Sequence, residues 1–147
     1  MNAPQQTQGV KHLHVEVQRL DAVRAEMYSP EWRVNIATTS QQSVGAPTPT
    51  LALLGSLAAC TISGIGRAAQ EKGLQIDDVK VAVDATRVPP PQPHFQDIKV
   101  HITMFSPENE ARLTPILEAL RSNGTVTNTL KKSASLTLTY EIVSTAK

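Results

Sequence analysis

The chain has 147 residues, the size of one ordinary domain, with 14 basic against 13 acidic side chains and a single cysteine. One cysteine excludes an internal disulfide and a cysteine-rich zinc site. A net charge of +1 and an aromatic content of 3% argue against a polyanion binder or a base-stacking platform, and a 40% hydrophobic content in periodic segments argues against disorder.

Residues 1–10 are polar and lack the basic-then-apolar order of a secretory signal. They read as a flexible N-terminus ahead of one domain spanning 11–147. The lone thiol fits a reducing compartment, so the expected location is cytoplasmic. In Lys11–Leu20, the residues Leu13, Val15 and Val17 alternate with His14, Glu16 and Gln18, the period of a strand with one wet face. Ala22–Met27 reads as a second strand. A turn at Ser29, Pro30 and Glu31 leads to a third, in which Trp32, Val34 and Ile36 alternate with Arg33 and Asn35. Thr38–Gly45 reads as loop.

No charged residue occurs from Val34 to Gly66. Within that run, Thr48 and Pro49 suit an N-cap and a first helical position, and Gly73 suits a C-terminal stop. The predicted helix runs from Pro49 to about Lys72 and is apolar nearly all round until Arg67. Its longest apolar stretch, Leu51–Gly66, is interrupted by Ser56, Thr61 and Ser63 and falls short of the about 20 residues a membrane span needs. A helix apolar on all faces is buried on all sides. One sheet covers only one of them, so either a second subunit covers the rest or this is an ordinary core helix of poor propensity. Gly55, Gly64 and Gly66 cost up to about 1 kcal/mol each in propensity, which close approach of another backbone would justify.

Val79, Val81 and Val83 mark a fourth strand, and the proline-rich stretch Val88–Pro93 a stiff connection. Ile98, Val100, Ile102 and Met104 mark a fifth strand. Ser106 and Pro107 read as the opening of a second helix with the apolar stripe Leu113, Ile116, Leu117 and Leu120. Pro115 either kinks that helix or follows a short turn, with the helix then starting at Thr114. Asn123 and Gly124 end it. Thr125–Lys131 allows one helical turn, and Leu136, Leu138, Tyr140 and Ile142 form a last strand. The expected class is α+β, with antiparallel strands (three N-terminal, two middle, one C-terminal) around the long buried helix. No phosphate-binding loop or dinucleotide fingerprint is present.

Cys60 is the first candidate for chemistry. It lies mid-helix, away from the helix N-terminus, so a cation from elsewhere would have to hold it as a thiolate. Arg19, Arg24 and Arg33, on the N-terminal strands, could reach it. The alternative is an inert small hydrophobe among alanines and leucines. His12 and His14 share one strand face and could bind a metal only if another strand supplied ligands; a solvated face is the simpler reading. His94 and His101 carry no marked spacing, and neither a metal nor a cofactor is expected.

Three segments carry a resemblance. Gly45, Pro47 and Pro49 precede a Leu/Ala-rich run ending in Ala59 and Cys60. Ala68–Ile76 then leads into the strand Val79–Val83. Gly124–Leu130 stands where a Cys-Pro-Val-x-x-Thr-Leu segment is expected. In this order they resemble the OsmC/Ohr family (osmotically inducible protein C and organic hydroperoxide resistance proteins) over about Lys11 to Ile142. The resemblance implies an intertwined homodimer in which two central helices pack together, wrapped by both subunits' sheets. It also implies a thiol peroxidase of the stress response. In that scheme Cys60 attacks an organic hydroperoxide, an arginine matched most nearly by Arg19 or Arg24 organises the thiolate, and a second cysteine resolves the sulfenic acid. This chain departs from the scheme. Gly124 occupies the resolving position, Thr125 replaces the proline, and Thr50 replaces a glutamate ten residues before the attacking cysteine. An external thiol or dithiol would then have to resolve Cys60. Two other readings stand beside it: a non-catalytic dimer binding an apolar small molecule at the subunit interface, and a purely structural or interaction protein. Neither nucleic acid nor membrane is an expected partner.

Overall fold

The computed structural model describes residues 9–40 and 44–147. Residues 1–8 of the expected flexible N-terminus and 41–43 of the expected loop lie outside the described residues. Two units divide the chain at Thr50 and Leu51.

The N-terminal unit is an antiparallel sheet of β1 (Glu16–Arg19), β2 (Arg24–Tyr28) and β3 (Arg33–Ala37), in that order. Side chains close both turns. Asp21 Oδ1 accepts the Val23 N–H at 2.9 Å. Ser29 Oγ accepts the N–H groups of Glu31 and Trp32 at 3.1 and 3.3 Å, as serine does at the first position of such a turn. The first strand is shorter than its alternation predicts. Its partner β2 ends at Tyr28, opposite Glu16, so residues 11–15 have no ladder to join.

The register divides the sheet into unlike faces, because successive side chains point to opposite sides. Val17, Met27 and Val34 form one row and Arg19, Ala25 and Ile36 the next, on the same face. Glu16, Tyr28 and Arg33, with Gln18, Glu26 and Asn35, make the opposite, polar face.

The C-terminal unit is built on α1 (Pro49–Lys72), β4 (Asp78–Arg87), β5 (Phe95–Ser106), α2 (Glu110–Ala119), α3 (Thr125–Leu130) and β6 (Ser135–Ser144). The long helix has the predicted bounds. It stops because Gly73 takes φ +64°, a conformation that favours glycine. The Leu74 N–H then reaches Ala69 O at 2.9 Å and the Gly73 N–H reaches Gln70 O at 3.2 Å, which caps the free carbonyls. With 24 residues, α1 is long and apolar enough to cross a bilayer by those two criteria. Its buried residues, Leu57, Thr61, Ile65 and Ala69, nevertheless form one stripe in a protein core.

Within one chain that stripe is the covered side, as the expectation of a sheet covering one face only requires. Leu51, Leu53 and Ile62 on α1 are 59%, 41% and 42% exposed, since packing within the unit covers one side only. Of the three glycines, Gly64 has a reason inside the chain: a Cβ there would stand 3.1 Å from Leu120 Cδ2. Around Gly55 and Gly66 there is open space.

The second sheet has the order β4-β5-β6, with β5 in the centre. Ile98, Val100, Ile102 and Met104 of β5 are fully or almost fully buried and share a cluster with Leu57, Ile65, Leu113, Leu117, Leu120 and Leu138. β4 pairs antiparallel to β5, but β6 pairs parallel to it, against the expectation of antiparallel strands throughout. The connection permits it: two helices intervene between β5 and β6, a crossover of the length that parallel pairing needs.

The second helix starts later than the serine-proline pair suggests. Asn109 caps it, accepting the Ala111 N–H at 2.8 Å, and Ser106 ends β5 instead. The helix continues through Pro115, which resolves the two alternatives in favour of one helix from Glu110 to Ala119.

A polar clasp ties the ends of these elements. Ser106 Oγ donates to Gln75 O at 2.6 Å, and Glu108 Oε1 accepts the Gln75 N–H at 3.0 Å. The Asp77 carboxylate accepts Thr145 Oγ1 and, at 2.7 Å, Gln75 Nε2. Those donors, Thr145 first, hold the Asp77 carboxyl below its ordinary range.

Two outcomes are expected. Ile102→Ala removes a fully buried side chain and should cost about 2–5 kcal/mol in denaturant unfolding. Asp77 stabilises the fold above its unfolded-state pKa, and that contribution disappears as pH falls through its depressed folded value. Thr145→Ala should therefore raise the Asp77 pKa in an NMR titration and narrow the acid stability range; an unmoved titration would show that the hydroxyl does not hold the carboxylate.

Candidate functional site

Cys60 lies on α1 between the buried residues Leu57 and Thr61 and is itself half-buried, with a free thiol. Thr61 Oγ1 donates to Leu57 O at 2.9 Å, so its hydroxyl is satisfied by the helix. The neighbour that matters is Gly124, the residue before α3. A Cβ on Gly124 would stand 3.4 Å from Cys60 Sγ and 3.1 Å from Thr127 Oγ1. The backbone there is ordinary (φ −116°, ψ 137°), so conformation does not demand glycine. Room is limited rather than absent: Thr127 Oγ1 would have to give by a few tenths of an ångström to a Cβ there, while the Cys60 sulfur would stand at ordinary contact distance.

Cys60 and Gly124 are 64 positions apart in the chain, and the crossover through α2 and α3 brings them together. Thr127 completes the contact and went unremarked in the sequence. It lies one helical turn beyond Gly124 and is buried, so the helical spacing Gly124–Thr127 was the available signal.

The start of α1 has no acidic residue in its first turn. Thr50, at the expected glutamate position, has its hydroxyl 3.3 Å from that of Thr48. No carboxylate is therefore available from this turn.

The candidate arginines belong to the N-terminal unit, and the register separates them. Arg24 is on the polar face, where its Nε donates to Asp21 Oδ2 at 2.8 Å in a close ion pair. Asp21 is held below its ordinary range by the Val23 N–H first and the Arg24 side chain second. Arg33 is on the same face, paired with Glu26 and 5.8 Å from the Tyr28 ring centre. Arg19 is in the row of Ala25 and Ile36 on the apolar face, and its Nε donates to a carbonyl, Asp21 O, at 3.2 Å. Of the three, Arg19 is the one whose recorded partner is not a carboxylate.

The histidines are apart from this contact or paired on surfaces. His12 and His14 precede β1 rather than sharing its face, and His14 Nε2 is 3.6 Å from Glu16 Oε1. His94 Nδ1 is 2.7 Å from Gln92 O. His101 projects from the outer face of the second sheet, 2.7 Å from Thr139 Oγ1 and 3.5 Å from Glu141 Oε1. Among the described residues no three His, Cys, Asp or Glu side chains gather in a way that could hold a metal ion.

If the Cys60–Gly124 contact persists in solution, Gly124→Cys should form a disulfide with Cys60 under mild oxidation, since its Cβ starts within contact distance of the sulfur. Thiol titration should fall to zero per chain, and non-reducing mass spectrometry should show a cross-linked peptide pair. Two free thiols after oxidation would mean that the two helices do not hold this approach.

Comparison with known proteins agrees with this architecture. A family model described as OsmC-like protein matches residues 40–139. No match is found among curated proteins. Among solved structures, an OsmC-like protein from Mycoplasma pneumoniae is similar at 18% identity and a TM-score of 0.81, over 90% of this chain and 98% of that one. An organic hydroperoxide resistance protein OsmC from Legionella pneumophila is similar at 14% identity and a TM-score of 0.68, over 90% and 98%. An organic hydroperoxide resistance protein from Elizabethkingia anophelis is similar at 8% identity and a TM-score of 0.69, over 90% and 99%. At these identities the likeness is one of fold.

Proposed function

The chain belongs to the OsmC-like protein family, and from that premise we propose that it is a one-cysteine, thiol-dependent peroxidase for organic hydroperoxides. The observation that carries the proposal is the half-buried Cys60 thiol beside Gly124. The nucleophile's place on the central helix is kept, while the residue facing it has no sulfur. Two relatives in fold are named for organic hydroperoxide resistance, which supports the substrate class.

The chemistry balances with an external thiol. The Cys60 thiolate attacks a peroxide oxygen, the O–O bond breaks, and the alkoxide leaves and takes a proton as the alcohol. Cys60 is then a sulfenic acid. One thiol condenses with it, releasing water and forming a mixed disulfide. A second thiol, or the other sulfur of a dithiol, releases Cys60 and leaves as the oxidised reductant. The single cysteine rules out an internal disulfide within one chain.

Cys60→Ser should abolish thiol-dependent consumption of an alkyl hydroperoxide; unchanged consumption would overturn the proposal. If the unaltered protein consumes none, the apolar-ligand reading takes precedence. The exposed apolar residues of α1 favour that reading, and binding of an environment-sensitive apolar dye, lost on Ile62→Glu, would support it.

The working form proposed here is a homodimer. Val17 and Val34 on the apolar face of the N-terminal sheet are exposed, as are Leu51, Leu53 and Ile62 on α1. Exposed apolar areas of this kind mark association surfaces, and a second copy offers both at once. Arg19 lies on the apolar face that such a dimer would cover and is proposed to serve Cys60 of the partner subunit, while Arg24 and Arg33 are on the other side of the sheet with their carboxylates. Arg19→Ala and Cys60→Ser chains should each be inactive alone. Refolded together they should recover part of the activity, because a mixed dimer contains one intact site. Full activity of Arg19→Ala would remove Arg19 from the reaction, and inactivity of the mixture would place it in the same chain as the cysteine it serves.

A further inference from the structure

We draw no further inference here: the strongest candidate, the close approach of Gly124 to the Cys60 thiol at the start of α3, belongs to the site already described, and no second group there points to a ligand.

Discussion

Leu57, Thr61, Ile65 and Ala69 recur every four residues along α1, and the cover over them is the constraint on which the C-terminal unit depends. Residues four apart form one row on a helix. Leu57 and Ile65 are packed in one cluster with the inward side chains of β5 and the leucines of α2. Each large side chain buried in that cluster contributes about 1.5–3 kcal/mol relative to exposure. A helix with two apolar sides and cover for one is left with a second surface. The composition of α1 makes sense only when both are counted: Leu57 and Ile65 where the chain's own core lies, and Leu51, Leu53 and Ile62, with open space around Gly55 and Gly66, on other faces.

The parts of the fold legible in the sequence were those set by local rules. The bounds of α1 followed from a proline at one end and a left-handed glycine at the other, and both ends were found where the residues indicated. The strands β4, β5 and β6 followed from period-two alternation. What failed was decided by pairing, which local pattern does not contain. Lys11–Val15 alternates like a strand, yet β2 has ended before it could pair there. The direction of β6 depends on the crossover before it, and its own residues read the same either way. Ser106 and Pro107 looked like a helix start, but Ser106 was needed at the end of β5, where its hydroxyl bonds to Gln75 O.

The site divides in the same way. Cys60 was legible because a cysteine in an alanine-rich helix stands out, and Gly124 because a resemblance assigned it a position. Their contact was not legible, since it is made by the fold across α2 and α3. Nor could spacing rank Arg19 against Arg24: they stand on two different strands, and which of them shares the apolar face is set by the register of that pairing. With Gly124 opposite the sulfur, the oxidised state of Cys60 has no built-in exit, so in the proposed reaction the supply of external thiol would set how long the sulfenic acid survives.

The parallel pairing of β5 with β6 also orders events in time. β5 carries the centre of the core, and during synthesis it is complete before α2, α3 and β6 exist. Its antiparallel neighbour β4 precedes it, so one edge is satisfied at once. The other edge, from Asp97 to Ser106, stays open until Ser135–Ser144 has emerged. An unpaired, strongly apolar strand edge is a template for the wrong partner. Until β6 docks, that open edge is where a wrong strand could pair with the chain.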